Sequence, residues 1–190
     1  MFRKLKTHRS LVVALALAIA IPLVAFAGGK ASTASNGMLN HQFRTTSYTA
    51  PSNTYVGLFS TCPTTGNNGT ELSGNGYYRS VAISKADASW NYTAATFISA
   101  ATITNASTVT FPAVATSSWT VNCFGVYDQG GPASACVGSG NPWSCCTGAG
   151  AGATCGGNLL YWGSVTGAPV TVGVGVVASF AATALTITEN

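Results

Sequence analysis

Six cysteines, Cys62, Cys123, Cys136, Cys145, Cys146 and Cys155, are the residues of this chain whose type and number point most directly to chemistry. An even count in an exported chain reads as a disulfide framework. Four of them form a near-symmetric C-x8-CC-x8-C array over Cys136 to Cys155. Structural zinc sites favour ligand pairs about two to four residues apart, so disulfides are expected and no metal site is assigned. The adjacent Cys145 and Cys146 do not readily bond each other. Each is expected to tie to another arm of its own loop, or to Cys62 or Cys123. Six cysteines allow about 15 connectivities, so the pairing stays open.

Acid–base chemistry has little to work with. After the first 27 residues there is one histidine, His41, and four carboxylates, Glu71, Asp87, Asp128 and Glu189, far apart in sequence. A glycosidase needs two carboxylates on either side of one bond. Glu71 and Asp87 instead lie in turn-like polar stretches, and Asp128 ends a strand. No G-x-S-x-G, P-loop or dinucleotide fingerprint occurs. The chain is therefore read as a non-enzyme, with no catalytic residue and no cofactor. The N-x-[ST] triplets at Asn68, Asn91 and Asn105 matter only in a host that glycosylates.

The elements that position these residues begin with a basic, then apolar, head. Arg3, Lys4, Lys6 and Arg9 precede the run of 17 apolar residues from Leu11 to Ala27, and small residues follow at Ala25, Ala27 and Gly28. This is the layout of a secretory signal, with cleavage expected after Ala27. A retained anchor is the alternative, short for a membrane span and interrupted by Pro22. Past the head, Lys30, Arg44, Arg79 and Lys85 balance the four acids, leaving a neutral body. Such a body lacks the basic footprint of a nucleic-acid binder. Only 6% of residues are charged and 47% are hydrophobic, which excludes a disordered polyelectrolyte.

The expected organisation is a signal peptide or anchor over 1–27, an arm or short helix over 28–53, and one β domain over 54–190. Short apolar or alternating runs divided by Gly, Asn, Pro and Thr clusters are strand-and-turn patterning. Strands are predicted at 55–60, 77–84, 93–104 with a break, 108–111, 119–128, 159–166, 170–180 and 185–188. Val109 and Phe111 alternate with threonines, as do Leu185 and Ile187, which marks half-buried strands. Trp119 to Tyr127 carries apolar groups on both faces and reads as a central strand. The fold class is all-β, an antiparallel, jelly-roll-like β-sandwich, because no helical pattern separates the strands. A Gly-, Ala- and Ser-rich insertion at 129–157 holds four cysteines and Trp143, a candidate contact residue or a cap over the loop's own small core.

Four blocks then suggest a family: Tyr55-Val56-Gly57-Leu58-Phe59, Glu71 with Ser73 and Gly74, Trp119 through Asp128, and Gly157-Asn158-Leu159-Leu160. In order and spacing, from Asn36 to Thr188, the chain resembles small phage tail-fibre-like or virion structural proteins. The resemblance implies a short N-terminal helix, here Ser35 to Arg44, ahead of a β-rich domain. The export signal and the cysteine-bearing insertion depart from the family pattern.

The function expected is a structural subunit that self-assembles or decorates a surface, of virion type. The alternatives are an exported cell-surface filament subunit whose residues 30–50 add a strand to a neighbour, and a glycan-binding adhesin using Trp143, Trp90 or Tyr92 as a stacking platform. Expected partners are copies of itself or other virion or surface proteins, with a glycan as the alternative and the membrane met only through the N-terminal segment. The expected location is extracellular, at the cell surface or in the virion.

Overall fold

The computed structural model describes residues 20–45, 47–64, 67–96, 99–129 and 157–189. The strands are β1 (Ala20–Lys30), β2 (Asn53–Thr61), β3 (Thr70–Glu71), β4 (Ile83–Ser84), β5 (Trp90–Thr93), β6 (Ala101–Asn105), β7 (Val109–Ala113), β8 (Trp119–Val121), β9 (Cys123–Tyr127), β10 (Leu159–Val165), β11 (Val170–Val172) and β12 (Val177–Glu189). One helix, α1 (Ser32–Phe43), follows β1 after a single residue. Ten strands form one sheet whose main path runs β3-β2-β9-β10-β1-β12-β6-β5, with β4 also on β2 and β7 also on β12. β8 and β11 form a second, two-stranded sheet. Trp119, Val121 and Val172 from the small sheet share one core with Val56, Leu58, Phe124, Val126, Phe180 and Leu185 from the large one. Two layers around one core agree with the sandwich expected from the sequence.

The large sheet is mixed, because β1 runs antiparallel to β10 but parallel to β12. The boundary expected after Ala27 falls inside β1. Leu23 and Ala25 point into the core while Val24, between them, is 43% exposed. An apolar run gives no periodic signal of its own, so this alternation is invisible in the sequence.

The segment 77–84 is a strand only at Ile83–Ser84. A turn through Gly74, Asn75 and Gly76, all at positive φ, leads into it. Side chains share that edge of β2 with the backbone, whose Ser80 N–H donates to the Val56 carbonyl at 2.9 Å. The Val56 N–H donates to Ser80 Oγ at 2.9 Å, and the Leu58 N–H donates to the Tyr77 hydroxyl at 2.7 Å. The two-faced stretch at 119–128 divides into β8 and β9, and every residue of β9 is buried. Phe124 and Val126 face the main core, while Cys123 and Tyr127 pack with Phe59 in a smaller cluster. The predicted strands at 170–180 and 185–188 become β11 and a long β12. β12 bends at Thr183, which has φ of 66°. Asn105 clamps the bend: its amide donates to the Ala181 carbonyl at 2.8 Å and accepts the Leu185 N–H at 2.9 Å.

The arm is helical, slightly earlier than Ser35 to Arg44. Ala34 is its buried residue, and the Ala31 N–H donates to the Leu160 carbonyl at 2.8 Å, docking the helix start on β10. A helix packed on its own domain is not a strand free to join a neighbour's sheet, so the geometry does not support donation by residues 30–50.

Candidate functional site

The outer face of the large sheet carries an unusual row. Across β2, β9, β10 and β1 the registered partners are Gly57, Gly125, Trp162 and Gly29. Glycine inside a strand removes the side chain that would otherwise stand on that face, and often marks a close approach by something else. Here large neighbours lean into the space. A Cβ on Gly125 would lie 2.6 Å from Leu159 and 2.8 Å from Phe59, and one on Gly57 would lie 2.6 Å from Glu71 Oε1. A Cβ on Gly29 would collide with the Trp162 indole, which therefore lies across β1. Phe59 and Tyr127 stand in the same region with near-parallel rings, 6.3 Å between centroids.

The side chains that cover the row, Phe59, Glu71, Tyr127, Leu159 and Trp162, form the floor of a cavity of about 740 Å³. Its walls are the start of α1 (Ser32, Thr33, Ser35), the loop from β2 to β3 (Thr64, Asn68, Gly69, Thr70) and the approach to β10 (Gly157, Asn158). Lys30 also lines it.

A buried ion pair supports the cavity. Arg79 is 1% exposed and donates from Nε to Glu71 Oε1 and from Nη2 to Glu71 Oε2, both at 2.7 Å. Its Nη1 donates to the Gln129 carbonyl at 2.7 Å, and its guanidinium lies 3.3 Å from the Tyr127 ring centroid. Glu71 Oε1 also accepts the Tyr77 hydroxyl at 3.0 Å. A carboxylate bridged this way to a planar guanidinium is matched in geometry and charge. Burial works against the guanidinium charge, but hydrogen bonding and attraction to Glu71 outweigh it and hold Arg79 above its ordinary pKa. Burial, reinforced by the Glu71 charge, pushes Tyr77 well above the usual tyrosine value and raises Tyr127 as well. Both phenols are thus neutral over the physiological range. Glu71 is committed to structural partners, which leaves it poorly placed for proton transfer to a substrate.

The other residues singled out from the sequence are dispersed. Asp128 accepts the Asn158 N–H at 2.6 Å and its side-chain amide at 2.8 Å, pinning the start of β10. Asp87 is exposed in a turn. The Nδ1 of His41 accepts the Tyr48 N–H at 3.4 Å. Cys62 and Cys123 are joined to each other in a disulfide with Cα atoms 5.3 Å apart, so neither ties to the insertion. Cys136, Cys145, Cys146, Cys155 and Trp143 lie outside the described residues. Trp90 packs against the core from β5, and Tyr92 is exposed on the same edge strand. The triplet at Asn105 is closed to modification, since that side chain is 1% exposed and fully engaged. Among the described residues no three or more of His, Cys, Asp and Glu converge.

Sequence reasoning missed Trp162, Gly29 and the Glu71–Arg79 pair as a unit. One signal was available: in a body with four acids and four cations, a Glu and an Arg eight residues apart across a glycine-rich turn are suitable partners. Residues 29–147 match the family model of the podophage GP4 fiber I protein gp80. Comparison with curated proteins returns no match.

Proposed function

The chain belongs to the podophage GP4 fiber I protein gp80 family, and we propose from that membership that it is a non-enzymatic, fibre-type virion subunit that assembles with copies of itself. The family match carries this reading; it spans α1 and all strands from β2 to β9. The surface of α1 supports it. Met38, Leu39 and Phe43 are exposed large apolar side chains on one 12-residue helix, Phe43 at 79%. Apolar groups concentrated this way on a soluble surface favour contact with another protein. The Cys62–Cys123 disulfide suits a particle component that works outside a reducing cytoplasm.

The test is light scattering on size-fractionated full-length protein, beside the Leu39→Ser/Phe43→Ser variant. Wild type is expected in a discrete oligomer and the variant at lower mass with an unchanged circular-dichroism spectrum. A wild type that stays monomeric at high concentration, and is missing from purified virions by mass spectrometry, refutes the proposal.

A further inference from the structure

We infer that β1 and α1 form an exchange arm: in the assembled protein, the gap between β10 and β12 is filled by β1 of a neighbouring copy. This deepens the assembly reading and rests on it. Three observations converge. First, the arm fills the interior of a sheet. β1 pairs antiparallel with β10 from Ala25 to Lys30 and parallel with β12 from Ala20 to Ala27, and its Leu23 and Ala25 are buried in the core. An empty gap would open two hydrogen-bonding edges and the core behind them, so every copy needs a β1 in place. A second copy presents the same two walls, and its β1 fits them equally well.

Second, the arm is set off from the rest of the chain. The bonds that dock it run to the C-terminal strands: the Ala31 N–H donates to the Leu160 carbonyl at 2.8 Å, and the Thr166 N–H donates to the Val24 carbonyl at 2.7 Å. Tyr48 belongs to the arm, since its N–H donates to His41 and its ring lies against Gly37. The body resumes at Ser52, whose carbonyl accepts the Lys85 N–H at 2.8 Å. Between them Thr49, Ala50 and Pro51 belong to no helix or strand. Proline fixes its own φ and turns the residue before it away from helical backbone, so this hinge favours an extended course.

Third, α1 carries apolar surface that its own body leaves uncovered. Ala34 is its buried residue, whereas Met38, Leu39 and Phe43 are exposed. Seating on a neighbour brings α1 between two bodies, where these side chains gain a second surface to pack on. The exchanged strand precedes the helix, and α1 travels with it unchanged.

The experiment places cysteines across the seat, at Phe26 of β1 and its registered partner Ser164 of β10. Two full-length chains with different affinity tags, one carrying Phe26→Cys and the other Ser164→Cys, are co-expressed, oxidised, and read by non-reducing electrophoresis and peptide mass spectrometry. The expected result is a covalent species that holds both tags, is lost on reduction, and contains a peptide joining positions 26 and 164. Pro22→Cys with Ser179→Cys, in register on β12, repeats the test on the other wall should Phe26→Cys misfold. Each pair is also placed in one chain; a link that forms only within single chains means that each β1 occupies its own sheet, and overturns the inference. No link in either arrangement, or a chain that begins after Ala27, overturns it too. Light scattering on the wild type separates the two readings: an oligomer linked only within its chains refutes exchange and leaves assembly standing, whereas a monomer refutes both.

Discussion

Leu23 gives the sharpest test of whether the apolar head is part of the working molecule. It lies on β1, 2% exposed, in the core that contains Phe180 and Leu185. Leu23→Ala removes three buried carbons, a transfer loss of about 2.4 kcal/mol at roughly 0.8 kcal/mol each. The cavity left between two sheets adds to this, giving about 3 to 4 kcal/mol in total. For a chain of this size that lowers Tm by roughly 10 °C. Val24, one residue on, is 43% exposed, so Val24→Ala should change stability by no more than about 0.5 kcal/mol. Guanidinium titration followed by tryptophan fluorescence measures both, with a common m-value confirming that one transition is compared. If Leu23→Ala and Val24→Ala have equal, negligible effects on the mature protein, β1 is not in its sheet. Mass spectrometry of the same samples would then show a chain beginning after Ala27.

Arg79→Met should cost about 3 to 5 kcal/mol by stranding Glu71, whereas Arg79→Met with Glu71→Leu should recover part of that loss, a coupling that a double-mutant cycle measures. Tyr77 and Tyr127 have pKa values raised in the folded state above the ordinary 10.0. Their contribution is therefore complete below pH 10 and is lost as pH rises through the folded values, so thermal melting should show little change from these groups up to about pH 10 and an accelerating fall above it. Gly29→Ala should displace the Trp162 indole, seen as a shifted fluorescence maximum together with a loss of stability. Reducing Cys62–Cys123, which closes a separation of 61 residues, should lower stability by about 4 kcal/mol on the chain-entropy account.

Much of the strand inventory was legible because alternation and turn residues are local. Val109 and Phe111 are buried while Thr110 between them is less so, and the two-faced segment ending in Tyr127 is the covered strand β9. What was not legible depends on register. Gly57, Gly125, Trp162 and Gly29 are separated by long stretches of sequence and become a row only when four strands align. β1 was hidden for a related reason. A run apolar at every position satisfies the hydrophobic stretch of an export signal and the inner strand of a sheet equally well. The segment 77–82 misled because its apolar and aromatic residues resemble a strand, whereas the β2 N–H groups of Val56 and Leu58 are taken by the Ser80 and Tyr77 hydroxyls and not by backbone carbonyls.

The position of β1 also sets a timetable. It is the first of these strands to emerge during synthesis, yet both its neighbours, β10 and β12, are among the last. Its seat in the sheet therefore does not exist until nearly the whole chain has been made. During that interval the apolar head remains unclaimed, and contacts between distant chain segments form slowly. Any other apolar surface met first competes with the completed sheet for this segment, and the division between them is decided by relative rates of capture. Slowing or speeding translation between residues 30 and 159 would shift that division without altering a single contact in the finished fold.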